Sequence, residues 1–394
     1  WHTADFMPES KKYENVLMHL PLRTGDLESA GHEVPHYRDW IEHQSYDDYW
    51  KEISDEERFD QITVPAHTLG GWFDIFVVGT IDGYVGMKKY GATQAARDGA
   101  RMIIGPWGHG SSQSFGGVDF TPDAERDYFE LQLRFYDYHL KGIDNGLYEE
   151  KPVELFYMGA NRWRSEDDWP IPGTNYRELY LTSNGSANSV RGDGRLTFEK
   201  PKSSNTDQYR YDPDHPVPTV GGNNCCGTPT LAGPRDQRPL ERRQDVLVYT
   251  SEFLKESVTI AGPVKVVLNA ETDGRDTDWM IKLVDVYPDG YAMPISEGML
   301  RARFKDGLDQ MKLLKPGEMY QYEIEMTGTA NVFLPGHRIR VDITSSNFPQ
   351  FDRNPNTGDD LGSSAEVRVA TQTIHHGGAT SSYIILPVVA GFDE

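Results

Sequence analysis

The sequence predicts an α/β layer followed by an all-β domain. Two glycine-rich segments, Gly70-Gly71-Trp72-Phe73-Asp74 and Gly105-Pro106-Trp107-Gly108-His109, each follow a short apolar run with the composition of a buried strand. A predicted helix lies between them, as in the crossover that joins two parallel strands. After about residue 150, short β-branched and aromatic runs separated by glycine, proline, asparagine and aspartate predict many short strands instead.

The α/β layer begins with a strand, a helix and a second strand. The first predicted strand is Ile62–Leu69, although Pro65 near its start cannot donate to a β-ladder. From Asp74 to about Tyr90, apolar residues recur every three or four positions and predict a helix. Arg101–Ile104 predicts the second strand. Residues 1 to about 60, which precede this unit, are charged and helix-like.

A further helix is predicted to start at Thr121-Pro122-Asp123. The threonine hydroxyl can cap the first turn, proline suits the first helical position, and an acid is favourable in the first turn. Apolar residues from Tyr128 to Tyr138 supply one face of this helix, and Gly142 gives its stop signal.

The rest of the chain predicts a β-sandwich or jelly roll. Many short strands with turn residues between them are typical of these folds. The predicted strands are Val153–Met158, Leu179–Leu181, Asp245–Thr250, Val264–Asn269, Met280–Val286, Gln321–Met326, Ile339–Ile343, Val367–Val369 and Tyr383–Val388.

Composition narrows the classes of partner. The 394 residues suffice for two or three domains. A net charge of -22 repels phosphate backbones and anionic lipid surfaces, so we expect neither nucleic acid nor a membrane as a partner. No apolar stretch approaches the roughly 20 residues of a bilayer span, and no leader-like segment is visible. The expected location is the cytoplasm.

The two cysteines and the first residue carry separate expectations. Cys225 and Cys226 are adjacent, a separation at which a disulfide is strained, so we expect small buried side chains rather than a bridge. The chain starts at Trp1, so we expect a sequence that has been cut, processed or only partly represented.

Asp74 and His109 supply two of the three groups of serine-based acyl transfer. That chemistry needs an alcohol to attack, an imidazole to take its proton and a carboxylate to orient the imidazole. In α/β-hydrolases these groups follow the chain order serine, acid, histidine, and Asp74 and His109 fit the last two places. The alternative interpretation is that the two segments are ordinary loop caps at strand ends.

The two segments resemble those of the CocE/NonD hydrolases, the group that includes cocaine esterase, X-Pro dipeptidyl peptidases of family S15 and glutaryl-cephalosporin acylases. The resemblance rests first on residues 70–76 and 104–110. It implies an α/β-hydrolase domain with a helical cap and a C-terminal jelly roll, with Asp74 as the triad acid and His109 as the base. It continues over residues 221–227, 233–239, 245–251, 282–290, 333–338 and 345–349.

This resemblance divides the chain into three parts. Residues 1–55 correspond to the end of the cap, 56–150 to the C-terminal part of the α/β-hydrolase domain, and 151–394 to the β domain. The family's nucleophile turn, Gly-x-Ser-Tyr-x-Gly, is absent from the chain. We therefore expect the serine on an N-terminal segment of the same protein outside this chain. Ser112 and Ser114 follow His109 and lack the flanking glycines, so neither fits as the nucleophile.

Four residues are candidate substrate-binding positions under the same resemblance. Phe76 faces the acyl pocket in this interpretation, or else packs in the helix core. Trp107 lines the site in this interpretation, or else packs in the core against the sheet. Cys225 and Cys226 belong to a loop that reaches the pocket in relatives.

The predicted function is a serine hydrolase that cleaves a small-molecule ester or amide, similar to carboxylesterases and acylases. An X-Pro dipeptidyl peptidase is one alternative, and a non-catalytic jelly-roll binding module is an alternative of another class. We expect no cofactor and no metal. Asp352-x-Asn354-x-Asn356 resembles a calcium loop, but its glycine falls one place late and Ser363 stands where a glutamate is required. Assembly into a homo-oligomer is left open.

Overall fold

The computed structural model describes residues 15–110, 113–115, 117–225, 232–360 and 362–392. The described chain begins with short helices, as the sequence predicts: 3₁₀ helix Leu22–Thr24, α1 Gly25–Ala30, α2 Pro35–Glu42, α3 Asp48–Ile53 and 3₁₀ helix Asp55–Gln61. None of the helices in the described ranges is long and apolar enough to cross a membrane.

The first sheet contains the predicted strand–helix–strand unit. Its four strands, which lie in chain order, are β1 His67–Phe73, β2 Arg101–Gly108, β3 Val153–Tyr157 and β4 Arg162–Glu166. Strands β1, β2 and β3 are parallel, and β4 is antiparallel to β3. Helix α4 (Val77–Tyr90) connects β1 to β2 and is followed by the short helix α5 (Gln94–Asp98).

The bounds of β1 and β2 differ from those predicted. Strand β1 starts at His67 rather than Ile62, beyond the proline that cannot donate to a ladder. Both glycine-rich segments lie inside the strands rather than after them, so Asp74 and His109 directly follow the last strand residues. The first sheet extends beyond residue 150, because β3 pairs with β2.

Helix α6 spans Tyr128–Lys141, so the start predicted at Thr121 is wrong. The Thr121 hydroxyl is engaged by the carboxylate of Asp119 at 2.7 Å and does not cap the helix. Asp127 caps it instead, accepting from the amide of Glu130 at 3.0 Å. The predicted stop is confirmed, because Gly142 adopts φ 68°.

The second sheet contains the eleven remaining strands of the described chain. Strand β14 starts at Ala370, so the strand predicted at Val367–Val369 is wrong and lies just before it: the Arg368 amide bonds outside the ladder, to the Pro355 carbonyl. The strands are β5 Asn175–Thr182, β6 Arg195–Thr197, β7 Asn205–Tyr211, β8 Leu247–Thr250, β9 Val258–Thr272, β10 Asp278–Val286, β11 Ala292–Arg301, β12 Tyr320–Phe333, β13 Arg338–Thr344, β14 Ala370–His376 and β15 Tyr383–Val388.

This sheet closes on itself. Its strand order is β12-β11-β10-β13-β8-β6-β5-β15-β9-β14-β7, and β12 also pairs with β9. The strands from β12 to β9 therefore form a ring, and β14 and β7 extend from it. Closure leaves those ring strands without a free edge, which removes a common route to aggregation.

The two sheets share one apolar core. The amide of Met158, just after β3, donates to the carbonyl of Ala330, and the amide of Val332 donates back to Met158. Below the first sheet, the buried Trp72 ring packs on Trp169 and belongs to the same core cluster as the inner residues of the ring. The β domain is thus attached to the strands that carry Asp74 and His109.

Candidate active site

Asp74 occupies a tight turn between β1 and α4. Its amide donates to the carbonyl of Gly71 at 3.0 Å, and its carbonyl accepts from the amide of Val77 at 3.2 Å. Its carboxylate Oδ1 accepts from the amide of Phe76 at 3.0 Å. The carboxylate therefore sits at the start of α4, where unpaired helix amides favour a negative group.

His109 lies beside Asp74 because of the strand register. Phe73 on β1 pairs with Gly108 on β2, and the next residue of each strand is the acid or the imidazole. The His109 Nδ1 atom is 3.2 Å from Asp74 Oδ1. The side chains are 39% and 16% exposed, so the imidazole opens to the surface while the carboxylate is mostly covered. With Nδ1 on the acid, Nε2 is the ring atom left to accept a proton.

The glycines of both segments make room for Trp107. A Cβ added to Gly71 would lie 2.1 Å from the Trp107 carbonyl oxygen, and one added to Gly105 would lie 2.3 Å from the Trp107 ring. Neither contact is sterically allowed, so both positions require glycine. These glycines allow close packing of the two strands, which in turn sets the separation of Asp74 and His109.

Phe76 and Trp107 occupy contrasting positions. The Phe76 ring is 52% exposed and meets the His109 imidazole edge to face, with the ring centroids 5.3 Å apart. Trp107 is 2% exposed, packs against Tyr128 and Trp163, and donates its indole N–H to the carbonyl of Ala124 at 3.2 Å. These contacts bury Trp107 in the α/β layer, and its role as a wall of the site stays a prediction.

A loop of the β domain also reaches the site. Asn223 donates its side-chain amide to the carbonyls of Trp72 and Asp74. Cys225 is disulfide-bonded, so the expectation of an unbridged cysteine is wrong for this residue. Cys226 lies outside the described residues. Sequence reasoning missed Asn223, although it lies in one of the segments that carried the family resemblance.

Of the two serines near His109, Ser114 is described, and it makes no contact with the pair. Ser114 pairs through its backbone with Asp119 in an isolated β-bridge. Ser112 lies outside the described residues.

A second aspartate–histidine set, which the sequence did not reveal, is buried in the β domain. Asp207 Oδ2 lies 2.9 Å from His376 Nε2 and accepts from the hydroxyl of Ser183 at 2.6 Å and that of Tyr249 at 2.8 Å. Ser183 also meets the same Nε2 atom, at 3.1 Å. One ring nitrogen therefore faces both the serine and the acid, which is not the relay geometry of a triad. Burial raises the pKa of Asp207, but these hydrogen bonds outweigh burial and leave it below its usual value.

Two side chains of the calcium-like loop, those of Asp352 and Asn354, are hydrogen-bonded to other side chains of the protein. Asn354 donates to Asp276 at 2.9 Å and to Asp278 at 2.8 Å. The guanidinium of Arg301 bridges Asp278 and Asp352. Among the described residues, no group of three or more histidine, cysteine, aspartate or glutamate side chains could hold a metal ion.

Two family models match most of the chain. Residues 145–385 match the X-Pro dipeptidyl-peptidase C-terminal non-catalytic domain. Residues 8–111 match the X-Pro dipeptidyl-peptidase (S15 family). Together the two matches contain Asp74, His109 and most of the β domain.

Individual proteins are similar over nearly the same length. Cocaine esterase from Rhodococcus sp. (strain MB1 Bresler) is 38% identical over 357 residues, which cover 89% of this chain and 60% of the esterase. A solved aminopeptidase from a marine sediment archaeon, Thaumarchaeota archaeon, has a TM-score of 0.78 at 29% identity and covers 91% of this chain and 60% of its own. A solved α-amino acid ester hydrolase has a TM-score of 0.81 at 27% identity, with coverages of 96% and 64%. The chain spans less than two thirds of each of these proteins.

Proposed function

Since this chain belongs to the CocE/NonD family of X-Pro dipeptidyl-peptidase-like hydrolases, we propose that it supplies the acid and base of a serine hydrolase. The observation that carries the proposal is the Asp74–His109 pair at the ends of adjacent parallel strands. Open α/β enzymes bind their ligands at this edge of the sheet. The reaction class is hydrolysis of a small-molecule ester or amide.

In this mechanism His109 acts first as a base and then as an acid. Asp74 holds Nδ1 of the imidazole, so Nε2 takes the proton of the attacking serine as its oxygen adds to the substrate carbonyl. Nε2 then returns that proton to the leaving alcohol or amine. Water repeats both transfers on the acyl-enzyme, which releases the acid and restores the serine.

The serine belongs to a segment outside this chain. Two exposed surfaces of the α/β layer support this part of the proposal. Strand β1 is the terminal strand of the described first sheet, with β2 as its neighbour. Helix α6 exposes four apolar side chains at helical spacing: Phe129, Leu133, Tyr136 and Leu140. An N-terminal segment on the order of 150–250 residues would extend the sheet and cover these groups.

The finer description of the fold follows the same family. We assign residues 1–55 to the end of a helical cap, residues 56–150 to the C-terminal part of the α/β-hydrolase domain, and residues 151–394 to a jelly-roll domain whose first strands, β3 and β4, add to the sheet of β1 and β2. The short helices α1, α2 and α3 and the closed ring of strands support this division. Phe76 contributes to the acyl pocket, and the loop containing Cys225 and Cys226 borders it.

A second candidate function is an X-Pro dipeptidyl peptidase. The S15 match over residues 8–111 supports it, because those residues contain both Asp74 and His109. We place a carboxylesterase first, since the relative at 38% identity is an esterase. A panel of short-chain nitrophenyl esters and X-Pro amides separates the two, according to which substrate gives the higher kcat/KM.

Fluorophosphonate labelling of the full-length protein tests the proposal directly. We expect one labelled serine, and we expect peptide mapping to place it outside residues 1–394. Labelling and ester hydrolysis should both withstand a chelator. A protein that neither reacts with the reagent nor hydrolyses any ester or amide of the panel would contradict the proposal and favour a binding module. A label on a serine within residues 1–394 would contradict the external nucleophile.

A further inference from the structure

Asn223 connects the β domain to the turn that carries Asp74. Its side-chain Nδ2 atom donates to the carbonyl of Trp72 at 2.7 Å and to the carbonyl of Asp74 at 3.1 Å. Because both partners are carbonyl oxygens, only the nitrogen end of the amide can face them. Asn223 is buried, so the loss of its amide would leave at least the Trp72 carbonyl in surroundings that water enters with difficulty.

Glu297 and Gln350 hold the backbone of Asn223 in place. The buried Glu297 on β11 accepts from the Asn223 amide at 3.1 Å and from the Gln350 side chain at 2.6 Å. Gln350 also donates to the Asn223 carbonyl at 3.2 Å. The β domain therefore satisfies both backbone groups of Asn223, and the side-chain amide is left for the turn of Asp74.

The glycine that precedes Asn223 allows this close approach. Gly222 has φ +80°, and a Cβ on it would lie 2.6 Å from Glu297 Oε2. Gly222 also exchanges two main-chain hydrogen bonds with Gly233, at 2.8 and 3.0 Å. Because Glu297 crowds this loop and Gly233 is hydrogen-bonded to it, the loop holds Asn223 in a defined orientation.

We propose that Asn223 is a positioning residue for the reaction, which fixes the Asp74 turn from the β domain. This inference rests on the proposed function. The two carbonyls that Asn223 holds belong to the residues on either side of Phe73, so they set the direction in which the Asp74 side chain leaves the backbone. That carboxylate then meets Nδ1 of His109 at 3.2 Å, near the upper limit of a hydrogen bond. A displacement of the turn by about 1 Å would break the contact.

The test compares three variants of the full-length protein. Asn223→Ala removes the amide, and Asn223→Asp keeps its shape but places a carboxylate against two carbonyls. Asn188→Ala is the matched control, because Asn188 donates its side-chain amide to the carbonyls of Gln208 at 2.7 Å and Gln244 at 2.9 Å, within the β domain. The measurements are kcat and KM for a nitrophenyl ester, Tm, and the low-field NMR signal of the His109 Nδ1 proton, identified by its absence in His109→Ala.

Positioning predicts a specific pattern. Asn223→Ala should lower kcat by about 10- to 100-fold with KM within about threefold, because misplaced catalytic groups slow the chemical step more than binding. Asn223→Asp should be slower still. Both should lose or broaden the low-field proton signal, whereas Asn188→Ala should keep the signal and the parent kcat while losing no more Tm than Asn223→Ala, because its hydrogen bonds are more exposed.

The inference is overturned if Asn223→Ala keeps kcat and the low-field signal and loses only Tm, as the control does. The NMR measurement separates this failure from failure of the proposed function. If the parent neither hydrolyses esters nor reacts with a fluorophosphonate, the proposed function fails. A proton signal that disappears in Asn223→Ala but persists in Asn188→Ala would still show that Asn223 holds the Asp74–His109 contact.

Discussion

Asp74–His109 in the α/β layer and Asp207–His376 in the β domain contain the same two side chains in opposite surroundings. Asp207 and His376 are almost fully buried, and the carboxylate also accepts from Ser183, Tyr249 and the amide of Ala187. Asp74 and His109 are partly exposed, and the carboxylate accepts from the amide of Phe76 besides contacting the imidazole. Asp207 thus has more donors around it than Asp74.

This difference separates a structural pair from a pair suited to catalysis. At Asp207 the donors fix the carboxylate, and the serine and the acid share one imidazole nitrogen. No proton can pass along that arrangement as it does in a triad. At His109 the acid engages Nδ1, so Nε2 is available to an incoming group. The presence of a serine near an aspartate–histidine pair therefore says less about function than the identity of the imidazole nitrogen that the serine and the acid each contact.

His109→Ala should give the largest effect on turnover. Removing the base should lower kcat/KM of the full-length protein by about 10³-fold or more, because no other imidazole lies beside Asp74 among the described residues. The free energy of unfolding should change by less than about 1 kcal/mol, since the pair is partly exposed. Ester hydrolysis and denaturant titration measure the two quantities. His215→Ala, which removes an exposed imidazole 3.0 Å from Asp212, is the control, and equal activity in both variants would refute the assignment of His109.

His376→Ala should show the reverse behaviour. Removing the imidazole takes a hydrogen-bond partner from the buried Asp207 carboxylate, which costs about 1–3 kcal/mol in the free energy of unfolding. The molecules that remain folded should keep the parent kcat, because the polar contacts of the His376 side chain are with Asp207 and Ser183 in the β domain. Denaturant unfolding and active-site titration check these outcomes. A variant as stable as the parent would show that the network at Asp207 is dispensable.

Local sequence patterns predicted the strands and the helix that position Asp74 and His109. Apolar runs and helical spacing located β1, α4 and β2, and the strand–helix–strand order implied parallel strands with Asp74 and His109 at one edge. The predicted helix start at Thr121 was wrong because a neighbouring carboxylate engages the hydroxyl that would have capped it. The spacing of apolar residues does not show whether a hydroxyl bonds to a helix amide or to a neighbouring carboxylate.

The remaining features depend on contacts between distant parts of the chain. Asn223 meets the Asp74 turn across 149 residues, and Asp207 meets His376 across 169. Strand periodicity marks a side chain as inward-facing, but it does not say which residue of another strand lies opposite. The closure of the β ring through β9 and β12, which fixes those neighbours, follows from tertiary packing.

Phe76→Ala should change activity the least of these variants. It tests whether the partly exposed imidazole of His109 needs the Phe76 ring to keep its orientation. The Phe76 ring packs edge to face on His109 and limits the positions of an imidazole that is otherwise partly open. An aromatic pair of this kind contributes about 0.5–1.5 kcal/mol beyond its buried area, so its loss should lower kcat/KM by about threefold to tenfold. Phe76→Leu should recover part of the loss by refilling the space, whereas Phe253→Ala, which removes another exposed phenylalanine from the β domain, should have no effect. If Phe76→Ala and Phe253→Ala both retain the parent kcat/KM, the Asp74–His109 contact alone holds the imidazole, and the exposed ring has no part in orienting it.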